Sequence, residues 1–197
     1  MCSEAYRQTD TAVLRRKQGL IEGYWQSVQY VDMVRDELRR DFRFQEKNDG
    51  GLRNMTGAVK SCNAVSVHIR RQDYLKSSAL YGGICTDEYY EKAIAHMLRQ
   101  AADAVFYFFS DDMAWVRETY RELKNAVFVS REMFDDYEDW YDMWLMSCCR
   151  HNIIANSSFS WWGAWLNGSM DKQVIAPRKW IAGKEISDIC PESWIRI

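Results

Sequence analysis

Hydrophobic positions along this chain follow two rhythms. From residue 27 to 42, Val31, Val34, Leu38 and Phe42 recur every three or four positions, with Arg35, Asp36, Arg39 and Arg40 among them. That is the spacing of an amphipathic helix. A polar stretch at residues 45–63 holds Gly50, Gly51 and Gly57. It reads as a loop, and as the boundary between an N-terminal helical appendage (1–62) and a main domain (63–197). Residues 1–22 are polar and weakly patterned. Past residue 63, short apolar runs alternate with helical patterns. Residues 64–69, 104–109, 126–130, 152–155 and 173–176 read as strands, and 86–102, 112–123, 138–149 and 158–167 as helices. Thr86 is a candidate cap, followed by Asp87 and Glu88 in the first turn. Five strands with helices between them predict an α/β chain with a doubly wound parallel sheet. The run Val105-Phe106-Tyr107-Phe108-Phe109 fits a strand buried on both faces, as parallel sheets require.

Composition narrows the function classes. The 197 residues carry 26 Lys and Arg against 28 Asp and Glu, a net charge of −2. This near-balance argues against nucleic acid as a partner, which calls for a basic excess. With 47% hydrophobic residues the chain is a folder rather than a disordered segment. Nine Trp, eleven Tyr and eight Phe fit either a packed core or a surface that stacks on sugars or bases. The six cysteines include no Cys-x-x-Cys pair, so zinc ribbons and dithiol redox chemistry are unsupported, and the thiols read as reduced and buried. No apolar run approaches the roughly 18 residues of a membrane helix. The first residues lack the basic start and apolar stretch of a signal peptide. The chain therefore reads as soluble, with no transmembrane segment.

In open α/β sheets ligands bind beyond the carboxyl ends of the strands, so the polar residues there are the candidates. The first strand ends His68-Ile69-Arg70-Arg71-Gln72-Asp73. Alternation places Ser66, His68 and Arg70 on one face, and an arginine fork matches phosphate oxygens. The bland reading is an Arg–Asp pair pinning a loop. The second strand ends Ser110-Asp111-Asp112. Adjacent carboxylates can bind a divalent ion or a ribose hydroxyl. The bland reading is a helix cap. Asp112 is expected to cap, with Asp111 or Ser110 toward a ligand. The fourth strand leads into Asn156-Ser157-Ser158 at a helix start, a place for an anion, where Ser157 or Ser158 also serves as cap. Trp161, Trp162 and Trp165 in that helix read as packing, and Gly163 as a site of close backbone approach. There is no P-loop and no Gly-x-Gly-x-x-Gly. The sum is a phosphate site suited to a nucleotide or nucleotide sugar.

These residues carry a resemblance. His68-Ile69-Arg70-Arg71-Gln72-Asp73 resembles the His-x-Arg-Arg-x-Asp motif of α-1,2- and α-1,6-fucosyltransferases. Leu145-Met146-Ser147, and then the run from His151 through Ala155-Asn156-Ser157-Ser158-Phe159-Ser160-Trp161-Trp162-Gly163 to Leu166, resemble the signature block of the α-1,2-fucosyltransferases, glycosyltransferase family 11. Phe109-Ser110-Asp111-Asp112, Gly23-Tyr24-Trp25-Gln26-Ser27 and Trp194-Ile195-Arg196-Ile197 are also similar to that family. The family's opening Gly-x-Gly-Asn-Gln turn is not matched. By resemblance the chain reads as the Rossmann-like donor-binding half of a two-domain GT-B transferase with a helical remnant.

The resemblance implies GDP-β-L-fucose as donor, a galactose-terminated glycan as acceptor at its 2-hydroxyl, inversion at the sugar, and no metal or cofactor. It puts Arg70 or Arg71 on the diphosphate and His68 and Asp111 near the nucleoside. With Ser110, Asn156, Ser157 and Ser158 these form the expected donor site. Arg70 and Arg71, with Asp73 as candidate base or as orienter of the arginines, form the expected catalytic set. Location is expected to be cytoplasmic or peripheral to a membrane in a bacterium, or Golgi if a eukaryotic anchor precedes the chain. Three other readings stay open. They are a nucleotide-sugar module that no longer transfers, a metal-dependent transferase using Asp111 and Asp112, and a carbohydrate-binding module built on the tryptophans.

Overall fold

A computed structural model describes residues 23, 25–45, 47–183 and 188–197. The reading of residues 1–22 lies outside the described residues. Three helices come first: α1 (Val28–Met33), α2 (Arg35–Asp41) and α3 (Gly50–Lys60). The strands are β1 (Ala64–Ile69), β2 (Val105–Ser110), β3 (Ala126–Phe128), β4 (His151–Ile153), β5 (Val174–Ala176) and β6 (Ile195–Arg196). Six further helices lie between them: α4 (Gln72–Lys76), α5 (Ser78–Tyr81), α6 (Asp87–Gln100), α7 (Met113–Thr119), α8 (Trp140–Cys148) and α9 (Ser158–Leu166).

All strand pairs are parallel, in the order β3-β2-β1-β4-β5-β6. This is the doubly wound order whose direction reverses between β1 and β4. The five expected strands are present, and the two-residue β6 at the C-terminus adds a sixth. Val65, Val67, Ile69, Phe106, Phe108, Ile153 and Ile175 pack on one face against Tyr90, Ala93 and Met97 of α6 and Val116 of α7. On the other face Ala64, Tyr107 and Phe109 meet Leu52 and Val59 of α3 and Tyr141 and Leu145 of α8. Ile154, Val174 and Ala176 meet Trp161, Ala164 and Trp165 of α9, so Trp161 and Trp165 are core.

Local chemistry explains the element ends. Thr86 Oγ1 accepts from Tyr89 N–H at 3.3 Å and starts α6. Asp112 Oδ1 accepts from Trp115 N–H at 3.3 Å and starts α7, as expected. The expected helix over 27–42 is interrupted, because Val34 leaves helical geometry (φ −129°, ψ 32°) and divides α1 from α2.

The loop reading of residues 45–63 is corrected. Residues 50–60 form α3, capped by Asp49, whose Oδ1 accepts from Leu52 N–H at 2.8 Å. Gly51 is there for proximity rather than flexibility, since a Cβ would sit 1.9 Å from the Met133 carbonyl oxygen. Gly163 likewise permits contact, but with a side chain rather than a backbone: its Cβ would lie 3.0 Å from Met146 Cβ on α8. The capping expectation at α9 is also corrected. Ser157 holds the cap position, yet its side chain makes no capping bond. Among the described cysteines, Cys62, Cys85, Cys148, Cys149 and Cys190 are free, and only Cys149 and Cys190 are fully buried. No helix among the described residues is long and apolar enough to cross a membrane.

Candidate functional site

Strands β1 and β4 pair from Val65↔His151 to Val67↔Ile153 and then separate. The separation leaves backbone carbonyls at the carboxyl ends in need of donors. Two tyrosines in the first turn of α6 supply them. Tyr90 Oη donates to the His68 carbonyl at 3.1 Å and Tyr89 Oη to the Ile154 carbonyl at 2.6 Å. Burial raises both phenols well above their ordinary range, so they stay protonated donors. These tyrosines escaped sequence reasoning. Two adjacent Tyr just after a cap were the available signal.

The crevice so held open is where the candidate residues gather. His68, Arg70 and Arg71 come from β1 and the turn after it, Ser110, Asp111 and Asp112 from the end of β2, and Asn156, Ser157 and Ser158 from the β4–α9 turn. Arg71 N–H donates to Asp111 Oδ1 at 2.9 Å, and Arg71 Nε donates to Asp112 Oδ2 at 3.1 Å. The Arg71 guanidinium lies 4.3 Å from the centroid of the Trp115 ring, a cation–π contact that fixes its plane. Arg70 pairs with Asp73, and its Nε is 3.7 Å from Asp111 Oδ2. Both arginine side chains keep about a third of their surface, 30% and 32%. They are held in place but still reachable.

Asp73 belongs to α4, a helix absent from the sequence reading. Burial alone would raise its carboxyl, but the Arg70 guanidinium overrides burial and holds it below the usual range. Ser110 Oγ accepts from Asp112 N–H at 3.0 Å and shapes the turn. Both aspartates are thus engaged by guanidinium or amide groups, and no cluster of three metal-ligating side chains occurs among the described residues.

His68 is buried, and its ring centroid is 5.7 Å from that of Phe159 in α9. Its Nδ1 has no hydrogen-bond partner. Burial, with the Arg70 charge added, pushes the imidazole down to about 3, so it is neutral near pH 7. Asn156 is buried and structural in its contacts. Its Nδ2 donates to the Trp180 carbonyl at 3.0 Å, its Oδ1 accepts from Cys85 Sγ at 3.4 Å, and its carbonyl accepts from Tyr74 Oη at 2.7 Å. Tyr74 thereby ties α4 to the β4–α9 turn. Ser157 is half-buried and Ser158 exposed, so the start of α9 opens to solvent.

The arrangement joins two fixed guanidiniums to the amide-rich start of a helix, across the point where strand order reverses. Residues 13–197 match the family described as Glycosyl transferase family 11. The chain belongs to glycosyl transferase family 11. It is 34% identical to the Alpha-1,2-colitosyltransferase of Escherichia coli over 100% of this chain and 70% of that protein. It is 36% identical to the O-antigen biosynthesis glycosyltransferase WbnK of Escherichia coli, over 88% of this chain and 59% of that protein. With the Galactoside 2-alpha-L-fucosyltransferase Sec1 of Mus musculus it shares 28% identity, over 74% of this chain and 41% of that protein. The chain thus spans only part of the length of these curated relatives. A solved structure, the fucosyltransferase NodZ from Bradyrhizobium, aligns with a TM-score of 0.36 at 12% identity, over 69% of this chain and 58% of that one.

Proposed function

We propose that this family 11 chain binds GDP-β-L-fucose and serves inverting, metal-independent transfer of L-fucose to a glycan hydroxyl, the 2-hydroxyl of a terminal galactose. The observation that carries the reading is the pair Arg70 and Arg71 at the end of β1, beside the helix start at Ser157 and Ser158 on the neighbouring strand. The relatives named for colitosyl and galactoside 2-α-fucosyl transfer support a deoxyhexose donor and a hydroxyl acceptor.

The chemistry follows from the charges. As the sugar–phosphate bond breaks, negative charge gathers on the departing diphosphate while the sugar gains oxocarbenium character. Fixed cationic donors at the diphosphate stabilise that state more than the ground state. Arg71, held by Asp111, Asp112 and Trp115, is assigned this role together with Arg70. Asp73 is assigned to positioning Arg70, because a carboxyl held low by a guanidinium is poorly matched to proton abstraction near neutral pH. His68 is assigned to the nucleoside end as a neutral ring.

Calorimetric titration of the 197-residue chain with GDP, with and without chelator, tests the reading. Saturable binding that ignores the chelator is expected, followed by fucosyl transfer to a β-galactoside. A folded chain that binds no GDP overturns the donor site. Binding that needs a divalent ion overturns the metal-independent form, and GDP binding without transfer makes the chain a binding module.

A further inference from the structure

Beside the candidate donor site lies a cavity of about 560 Å³ between α1 and α9. That size falls within the roughly 300–1,000 Å³ of small-ligand sites. Trp25, Gln26, Val34, Ser158, Trp162 and Trp180 are among the residues around it. Among the described residues none that lines it carries a formal charge. The described lining thus offers a diphosphate or an acidic sugar no counter-charge. The aromatic side chains of the lining suit the apolar C–H face of a pyranose, and Gln26 and Ser158 in the same lining suit neutral sugar hydroxyls.

Two further observations bear on an occupant. Ser158 lines the cavity and also opens α9, so one residue of the candidate donor site borders the cavity. Trp25 adopts φ 53°, in the left-handed region where a bulky side chain is an outlier. Such strain gathers at ligand clamps. Burial does not account for it, because Trp25 is 38% exposed. It lines the cavity, edge-on to Tyr30 at 5.1 Å between ring centroids.

We propose that this cavity is a pyranose subsite that seats the terminal sugar of a neutral glycan acceptor, with Trp25 as its stacking wall. The proposal rests on the transferase reading above and adds where the acceptor sits. Trp25 is then a specificity-determining residue that touches substrate, while the guanidiniums deal with the donor.

The test is saturation-transfer NMR of the 197-residue chain with methyl β-D-galactopyranoside, in the presence and absence of GDP, on wild type, Trp25→Ala and Trp25→Phe. GDP titration of the same samples runs alongside. The galactoside is expected to bind wild type, to weaken about tenfold in Trp25→Ala, and to stay within about threefold in Trp25→Phe, the scale of one aromatic contact. GDP affinity is expected to be equal in all three, which also reports that the variants are folded. Equal galactoside binding in wild type and Trp25→Ala overturns the proposal. So does absence of galactoside binding to wild type, or preferential binding of an alkyl probe such as 1-octanol. Loss of GDP binding in wild type overturns the donor reading instead, and the galactoside measurement still decides the subsite.

Discussion

Arg71 N–H donates to the Asp111 carboxylate at 2.9 Å, binding the turn after β1 to the end of β2. The contact sets the backbone of Arg71 rather than its side chain. The guanidinium is then positioned separately by Asp112 and by the Trp115 ring. An arginine fixed at both its backbone and its head loses little freedom when an anion arrives.

Arg70→Ala and Arg71→Ala should each weaken GDP binding by about 1–3 kcal/mol, the range for a charge-assisted hydrogen bond. Arg71→Lys should recover only part of the loss, since an ammonium lacks the planar fork. Calorimetry with GDP checks this. Unchanged affinity in both alanine variants would remove the diphosphate assignment.

Asp112 has two separable tasks. Asp112→Asn keeps a capping oxygen for Trp115 N–H but drops the charge that holds Arg71. It should lower GDP affinity with little change in thermal stability. Asp112→Ala should lose the cap as well, at about 1 kcal/mol of stability. Thermal melts and GDP titrations on the two variants separate the roles. Identical melting of Asn and Ala variants would refute the cap.

Asn152 holds a buried network away from the arginines. Its Nδ2 donates to Ser66 Oγ at 2.7 Å and to the Met146 carbonyl at 2.8 Å, and its Oδ1 accepts from Asn167 Nδ2 at 2.8 Å. Asn152→Ala should destabilise by about 1–3 kcal/mol, because partners are left unsatisfied. GDP affinity of the folded fraction should hold. A denaturation midpoint equal to wild type would falsify this.

Two groups should tilt stability with pH in opposite senses. His68 falls to about 3 in the fold against an ordinary 6.5. The unfolded chain therefore binds the extra proton, and this contribution is full above about 6.5 and drains as pH falls toward 3. Asp142 is half-buried, and burial, aided by Asp139, lifts its carboxyl to about 7 from an ordinary 3.8. Its contribution is full below 3.8 and is lost as pH rises through 7. Melting curves from pH 5 to 8.5 check both. His68→Gln should flatten the acid limb, and the advantage of Asp142→Asn over wild type should widen toward pH 8.5. An advantage that shrinks there contradicts the Asp142 assignment.

Much of the sheet was readable because its signals are local. β1 falls on the residues where the short apolar run placed it, and Thr86 and Asp112 cap the helices that follow them. The misread segment shows where locality ends. Gly50 and Gly51 look like loop residues, yet Leu52, Met55 and Val59 form a helical stripe behind the Asp49 cap, and Gly51 answers to a carbonyl more than eighty positions away. At the site, the arginines and aspartates were visible as types at strand ends. Their pairing was not, because Asp111 and Asp112 meet Arg71 across 40 and 41 residues of sequence. The Trp115 platform, the Tyr74 tie and the α6 tyrosines are long-range in the same way.

The central pairing of β1 with β4 has a kinetic consequence. Ser66 and Asn152 are neighbours across the sheet but stand 86 residues apart in the chain. A parallel pair so distant cannot zip from a hairpin, and a large loop must close before the contact returns any free energy. As the chain leaves the ribosome, β1, α6 and β2 emerge well before β4. The β4-facing edge of β1 then stays bare, a template for pairing with another chain. Such non-local parallel pairing slows refolding, and the crevice between β1 and β4 cannot form until β4 has been made.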